Sequence, residues 1–284
     1  MATIADRVGA LDCYSLEVTP RDTDAFAAVV RRLPPRTEVF IADLPNQDPE
    51  LLIAAAVRYR NAGFRPVPHL VARNFASAGQ VRDLLEKLVD EAGVERVFVL
   101  GGDRESPAGP LADALDLIEG ADLQARGIRE VVLACFPEGH PRIAPDRLQQ
   151  ALEAKLAACA RSGLDALLIS QFGFDARPLL EYARRLRARG IIAPLRAGVA
   201  GPADADTLLK FAAELGVGPS RQRLKERPAG RSLEQSPHEF VEAIARAQAE
   251  EGSLRIEGVH FFSFGSTGRT IAWVERHRIG SGRA

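Results

Sequence analysis

Short apolar runs, rich in β-branched and aromatic residues and bounded by Gly, Pro, Asn or Asp, recur along the whole chain. Eight of these runs predict β-strands, near 13–18, 38–43, 65–71, 96–102, 130–136, 166–172, 193–199 and 258–264. The segments between them place apolar residues three and four positions apart, which is typical of amphipathic helices. The predicted helices are Asp24–Arg32, Pro49–Ala62, Ser77–Ala92, Asp146–Ser162, Arg177–Arg189, Ala203–Gly216 and a last one near 237–250. Strand and helix alternate throughout, which predicts an α/β fold, specifically a (β/α)₈ TIM barrel.

The domain organisation follows from length and composition. A chain of 284 residues with 46% hydrophobic content can bury one complete core. We therefore expect a single barrel domain over 1–284, with predicted helix ends at Gly63, Gly163, Gly190 and Gly216. An irregular excursion near 216–236 is rich in Gly, Pro, Arg and Ser. Its basic run is typical of a solvated loop, and contact with a phosphate-bearing ligand is the alternative.

Charge and cysteine content exclude several classes of function. The net charge of −1 gives no long-range field that would attract nucleic acid or an anionic membrane, so a small-molecule partner is expected. The beginning of the sequence carries no apolar signal core and no run approaches the roughly 20 apolar residues of a membrane span, which favours the cytoplasm. Cys13, Cys135 and Cys159 lack the spacing of a disulfide framework or a metal site, so we expect buried free thiols and no metal.

Polar residues stand within or directly after four of the apolar runs. These residues are Glu17, His69, Asp103 and Gln171. In a parallel barrel the carboxyl ends of the strands meet at one rim, and active sites form there. The pattern therefore predicts an enzyme.

Each of the two acids has a functional and a structural interpretation. Glu17 follows Tyr-Ser-Leu, and burying its carboxylate without a partner would raise its pKa, as suits a general acid. A structural ion pair, for example with Arg21, is an equally good interpretation. Asp103 follows the Gly101-Gly102 turn, where absent side chains would let a planar ligand approach the backbone. A turn or helix N-cap aspartate is the alternative.

The histidines and the glutamine also keep two interpretations. His69 lies in an apolar run and His140 follows the fifth predicted strand, so they are either hydrogen-bonded core residues or part of a polar cofactor site. Gln171 either binds a heterocycle through its amide or satisfies a backbone group at a strand end. The sequence contains no Gly-x-Gly-x-x-Gly dinucleotide fingerprint that opens a helix.

Taken together, six segments resemble the methylenetetrahydrofolate reductase family. They are Tyr-Ser-Leu-Glu-Val-Thr-Pro-Arg (14–21), Val-Pro-His-Leu (67–70), Leu-Gly-Gly-Asp (100–103), Cys-Phe-Pro-Glu-Gly-His-Pro (135–141), Ile-Ser-Gln-Phe-Gly-Phe-Asp (169–175) and Gly-Val-His-Phe-Phe-Ser-Phe (258–264). They occur in the family's order, one each on six of the eight predicted strands, and the resemblance extends from about residue 13 to about residue 275.

The resemblance implies a barrel that holds FAD at the strand carboxyl ends, takes electrons from NAD(P)H and reduces 5,10-methylenetetrahydrofolate to 5-methyltetrahydrofolate. It implies catalytic roles for Glu17 and Asp103, with Glu17 as the acid that opens the folate's five-membered ring. Gln171, Thr207 and Phe211 would contact the folate. The implied cofactor contacts are His69, Gly102, Asp103, Phe136, His140 and Lys155. A homo-oligomer is also expected from the family.

Several positions depart from the family's pattern. Gly101 stands in place of an Arg suited to the cofactor's diphosphate, Phe136 in place of Tyr, Thr207 in place of Gln and Gly265 in place of Asn. The stretch from Asp146 to Gln171 is longer than usual. These changes imply weaker FAD binding, another cofactor arrangement or a changed reaction direction. The alternatives are therefore methyltetrahydrofolate oxidation in one-carbon catabolism and a folate-binding barrel without redox activity.

Overall fold

The computed structural model describes residues 13–203, 207–210 and 235–279. Its eight strands form a closed parallel barrel in sequence order. The strands are β1 (Tyr14–Val18), β2 (Glu38–Ile41), β3 (Arg65–Val71), β4 (Arg96–Leu100), β5 (Glu130–Cys135), β6 (Asp165–Gly173), β7 (Leu195–Ala200) and β8 (Ile256–Phe262). The barrel closes where β1 pairs with β8, with Ser15 opposite His260. The predicted (β/α)₈ TIM barrel is confirmed.

Helices separate the strands, with the bounds α1 (Thr23–Arg32), α2 (Pro49–Asn61), α3 (Ala78–Ala92), α4 (Ala114–Gly120), α5 (Pro145–Arg161), α6 (Ala176–Ala188), α7 (Gln235–Glu250) and α8 (Thr267–Ile279). Five of these helices begin at a side chain that accepts backbone N–H groups, such as Asp22 for α1 and Ser77 for α3. The predicted stops Gly63, Gly163 and Gly190 all have positive φ, which glycine adopts without steric cost.

The chain divides into two compact units, and each contains buried apolar side chains. Of the described residues, one unit comprises 13–16, 135–148 and those from 168 onward, and its largest fully buried side chains include Trp273, Phe172 and Phe261. The other comprises 17–134 and 149–167, and it buries Tyr59, Phe40 and Leu70.

The sequence-based elements differ from the structure in a few places. Helices α4 and α8 were not predicted. Of the predicted helix Ala203–Gly216, only 207–210 is helical among the described residues, and Ala203 is not. The remainder and nearly all of the 216–236 excursion lie outside the described residues. Cys135 and Cys159 are buried free thiols, whereas Cys13, directly before β1, is exposed, so the expectation that it is buried is wrong.

Among the helices within the described ranges, none combines the length and the apolar character that a membrane span requires.

Candidate functional site

Glu17 and His69 face each other from the carboxyl-terminal parts of β1 and β3. The Oε2 atom of Glu17 lies 3.6 Å from Nε2 of His69, and the two side chains are 28% and 6% exposed. Apart from these residues, Ser15 and the exposed Arg65 at the start of β3, the two strands are apolar, so the pair lies in largely apolar surroundings. The structure thus gives Glu17 a polar neighbour that sequence reasoning did not consider, since the partner suggested there was Arg21.

Two phenylalanines surround the imidazole of His69. The ring of Phe98, on β4, packs edge-on against it with centroids 4.9 Å apart, and Phe40, on β2, packs against it at 6.2 Å. Phe40 and Phe98 also contact each other edge-to-face at 5.9 Å. These edge-to-face contacts restrict the orientation of the imidazole ring.

Burial shifts both ionisation equilibria toward the neutral forms. It raises the pKa of Glu17 from 4.5 to about 7 and lowers the pKa of His69 from 6.5 to about 3. At neutral pH the imidazole is therefore uncharged, and a substantial fraction of Glu17 carries its proton. A carboxylic acid with a pKa near the working pH is suited to proton donation.

Asp103 lies on an exposed segment after β4 that Arg73 holds in place. The guanidinium of Arg73 donates to the carbonyl oxygens of Arg104 at 2.7 Å and Ala112 at 2.9 Å, and the backbone N–H of Arg73 donates to Gly101 O. Gly102 has φ +101°, and a Cβ there would lie 2.5 Å from Cγ1 of Val71. Packing against Val71 therefore requires glycine at this position, whether or not a ligand approaches it.

Gln171 lies within β6, close to its carboxyl end, and bonds to the segment that follows β5. Its Oε1 accepts the backbone N–H of Glu138 at 3.1 Å, and its Nε2 donates to Gly139 O at 3.2 Å. Glu138, Gln171 and Phe240 line a small cavity in this unit. The amide of Gln171 thus binds backbone groups here, as the structural interpretation of its sequence position anticipated.

Phe136 and His140, both expected at the cofactor, lie together. Their rings pack edge-to-face with centroids 5.2 Å apart. The Nδ1 atom of His140 accepts the backbone N–H of Arg142 at 3.2 Å, which places the proton of a neutral ring on Nε2. The two side chains are half-buried and remain open to ligand contact on part of their surface.

The other expected site residues are dispersed. Lys155 lies half-buried on α5, where its charge opposes the rise that burial causes in the pKa of Cys159. Thr207 is half-buried in the helical segment 207–210, next to Leu208, which packs with Phe172 and Phe174. Phe211 lies outside the described residues.

Sequence reasoning missed a polar pair that follows β2 and β3. Nδ2 of Asn74 donates to Oδ2 of Asp43 at 3.0 Å. Burial raises the pKa of Asp43, against the opposing effects of the Asn74 bond and a bond from the Val71 backbone. Asp43 follows the apolar run Val-Phe-Ile-Ala, so the rule that identified Glu17 and Asp103 would also have found it.

The chemistry of the predicted cofactor residues tests whether they fit FAD. A diphosphate is usually held by cations or by backbone N–H groups. Gly101 provides no cation, His69 stays neutral, and the guanidinium of Arg73 is occupied by two carbonyl oxygens. Arg104, beside Asp103, donates to Oδ1 of Asn46 at 3.1 Å. The surroundings of Gly101 therefore do not fit the diphosphate of FAD in the way that the resemblance implies, and Lys155 is the cation that remains in the predicted set.

Fold and site together define a (β/α)₈ barrel with a candidate acid at the carboxyl end of its first strand. The profile of the family Methylenetetrahydrofolate reductase matches residues 47–221 of the 284. The chain therefore belongs to the methylenetetrahydrofolate reductase family.

A solved structure from Clostridium thermocellum has the same fold. That uncharacterized protein, which binds two copies of 5-methyl-5,6,7,8-tetrahydrofolic acid, superposes with a TM-score of 0.63. The alignment covers 97% of each chain at 11% sequence identity. At this identity the likeness concerns the fold alone.

Proposed function

We propose that this protein binds a reduced folate and interconverts 5,10-methylenetetrahydrofolate and 5-methyltetrahydrofolate, with Glu17 as the general acid. The observation that carries the proposal is the Glu17 carboxyl group, whose pKa burial raises to about 7 at the carboxyl end of β1. Family membership and the folate bound by the Clostridium thermocellum protein support the substrate class.

The proton of Glu17 has a defined use in this reaction. It passes to N10 of the five-membered ring, the bond between N10 and the bridging carbon breaks, and its electron pair stays on N10. The bridging carbon is left as an iminium on N5, and Glu17 is left as a carboxylate. Addition of a hydride to the iminium carbon then yields the 5-methyl group. A pKa near 7 lets Glu17 be protonated before the transfer and ionised after it.

The remaining roles are proposed residue by residue. Asp103 contributes negative charge near the reacting ring. Gln171 binds the pterin through its side-chain amide, in exchange for the bonds that this amide makes to the backbone of Glu138 and Gly139. Thr207 contacts the folate from the segment after β7.

The reaction also needs a source for the hydride that reduces the iminium. Family membership supports FAD and NAD(P)H, with reduced FAD supplying the hydride when it is bound. The cations around Gly101 do not fit a diphosphate, so no residue of this chain is given a role in the hydride transfer.

A second candidate function is a folate-binding barrel without redox activity. The engagement of Arg73 by backbone carbonyls favours it, because that guanidinium has two of its donors committed to the protein. A third candidate is oxidation of methyltetrahydrofolate, which is the reverse reaction and uses the same residues. Comparing the rates of the two directions distinguishes it from the proposed reduction.

An anaerobic spectroscopic titration tests the proposal. The protein is mixed with FAD and desalted, and its visible spectrum is recorded before and after addition of NADH and then of 5,10-methylenetetrahydrofolate. We expect bleaching of the flavin followed by its recovery. Retention of 5-methyltetrahydrofolate in calorimetry, without flavin uptake or turnover, would instead establish the binding function.

The Glu17→Gln variant tests the acid. We expect turnover to fall by roughly 10²- to 10⁴-fold, the usual contribution of general acid catalysis, with 5-methyltetrahydrofolate binding retained. Glu95→Gln is the matched control, because Glu95 is 66% exposed and pairs with Arg129 at the surface. Equal turnover in the two variants would refute the role of Glu17.

A further inference from the structure

The Nε2 atom of His69 is fully buried and has no hydrogen-bond partner among the described residues. Oε2 of Glu17 lies 3.6 Å away, which is beyond hydrogen-bond distance. Unsatisfied buried nitrogens are uncommon and call for an explanation. The reaction proposed for Glu17 provides one.

The side chain of Glu17 is 28% exposed, so when this acid gives up its proton it becomes a carboxylate that is only partly in contact with solvent. Such a charge is unfavourable unless a hydrogen-bond donor is already aimed at it. Phe40 and Phe98 contact the imidazole from β2 and β4, and neither ring can donate to a carboxylate. His69 is thus the polar side chain that the structure places against Glu17.

We propose that His69 is a positioning residue that donates its Nε2–H to the Glu17 carboxylate formed during the reaction. This inference rests on the proposed function of Glu17 as an acid and adds a second residue to that role. In the step, the proton leaves Glu17 for the substrate nitrogen, and the Nε2–H···Oε2 distance closes to about 3 Å. No proton moves onto or off His69, so the imidazole stays neutral throughout.

A neutral donor suits this role better than a charged one. A protonated histidine at this distance would hold Glu17 ionised in the resting protein, and the acid would have no proton to give. Burial lowers the pKa of His69 to about 3 and prevents this. Two aromatic rings hold the imidazole plane, so the donor needs little reorganisation when the charge develops.

The charged groups that follow the neighbouring strands are bonded within the protein. Asp43, two positions after the end of β2, accepts a hydrogen bond from Asn74. On β4, Asp103 follows the strand on the exposed segment held by Arg73. Desolvation is the cause of the pKa directions of both Glu17 and His69.

The test compares His69→Phe, which removes the donor and keeps a ring between Phe40 and Phe98, with His69→Gln, which keeps an N–H donor. The pKa of Glu17 is measured by infrared difference spectroscopy of its carboxyl band in the ligand-free protein, and Glu17→Gln identifies that band. We expect the pKa to rise by about one unit or more in His69→Phe, because a bond to the ionised form is lost, and to stay near the wild-type value in His69→Gln. His69→Leu replaces His69→Phe if that variant does not fold.

Turnover gives the second readout. Activity should decline on the alkaline side as Glu17 loses its proton, and in His69→Phe this decline should move to higher pH while the maximal rate falls about tenfold. An unchanged carboxyl pKa would reduce His69 to a packing residue. A lowered pKa would show that Nε2 of His69 instead accepts a hydrogen bond from the protonated carboxyl group of Glu17, and either result overturns the inference. Absence of folate turnover in the wild type overturns the proposed function instead, whatever the carboxyl titration shows.

Discussion

Glu17 connects the stability of the folded chain to pH. Its pKa is about 7 in the folded protein and 4.5 when exposed to water, so the folded state binds more protons between these values. The stabilising contribution of the protonated group is fully present below pH 4.5 and is lost as the pH rises through 7. Ionising Glu17 within the fold therefore lowers the free energy of unfolding.

We predict that Glu17→Gln, which cannot ionise, is more stable than the wild type at pH 8 by about 1 to 3 kcal/mol and nearly equal to it at pH 5. Urea denaturation at the two pH values measures the difference. A constant difference at both would show that the glutamine changes packing and not ionisation.

Gly102 is required by its backbone conformation and by Val71. Gly102 has φ +101°, and an added Cβ would lie 2.5 Å from the stiff side chain of Val71. Alanine at this position would therefore have both a strained backbone and a steric clash. Gly63 has a similar φ of +89°, with nothing within 4 Å of an added Cβ.

We predict that Gly63→Ala destabilises the protein by about 1 kcal/mol and Gly102→Ala by about 2 to 4 kcal/mol. Thermal unfolding of both variants measures this. Equal destabilisation would mean that Val71 moves aside and that backbone strain is the common cause.

At the scale of elements, the segment between β4 and α4 is held in place by the side chain of Arg73, which lies between β3 and α3. Arg73 donates to the carbonyl oxygens of Arg104 and Ala112, and its backbone bonds Gly101 and Ala108. These bonds fix both ends of an exposed segment that contains Asp103 and has no helix or strand of its own.

Replacing Arg73 by Met should therefore loosen 101–113 specifically. We predict faster amide hydrogen exchange, by about tenfold, over this segment, with little change in the strands, because two side-chain bonds of roughly 1 kcal/mol each are lost. Arg129→Met, at a side chain 78% exposed, is the control and should leave 101–113 unchanged. Equal exchange over 101–113 in the two variants would show that the hydrogen bonds of Arg73 do not hold this segment in place.

At the scale of the whole molecule, the boundaries of the two compact units fall within two of the strands. β1 and β6 each contribute residues to both units, because one boundary falls between Leu16 and Glu17 and another between Leu167 and Leu168. The single-domain organisation expected from the sequence would make unfolding one cooperative event.

We predict coincident urea transitions for the fluorescence of Trp273 and for far-UV circular dichroism. Trp273 is the single tryptophan of the chain, is 1% exposed and lies in one of the two units, so it reports on that unit alone. Circular dichroism reports on helices in both units. Separate midpoints would show that the units unfold independently.

Much of the fold could be predicted because it depends on local patterns. The eight strands coincide with short apolar runs to within a few residues, and Gly63, Gly163 and Gly190 end their helices because only glycine adopts positive φ readily. Helix α4 was missed because its seven residues are too few for a clear period, and its capping aspartate, Asp113, is evident only from its bonds.

The sequence predicted where the candidate site residues lie along the strands, but not which residues they contact. The sequence by itself determined that Glu17 and His69 stand on apolar strands and that Asp103 follows one, since the two-residue period and the run boundaries are local. Only the tertiary structure decided that His69 faces Glu17, that backbone groups bind the amide of Gln171, and that Arg73 holds the Asp103 segment. These contacts join residues far apart in the chain. They depend on how the strands are staggered around the barrel and on side-chain rotamers, which no local pattern encodes.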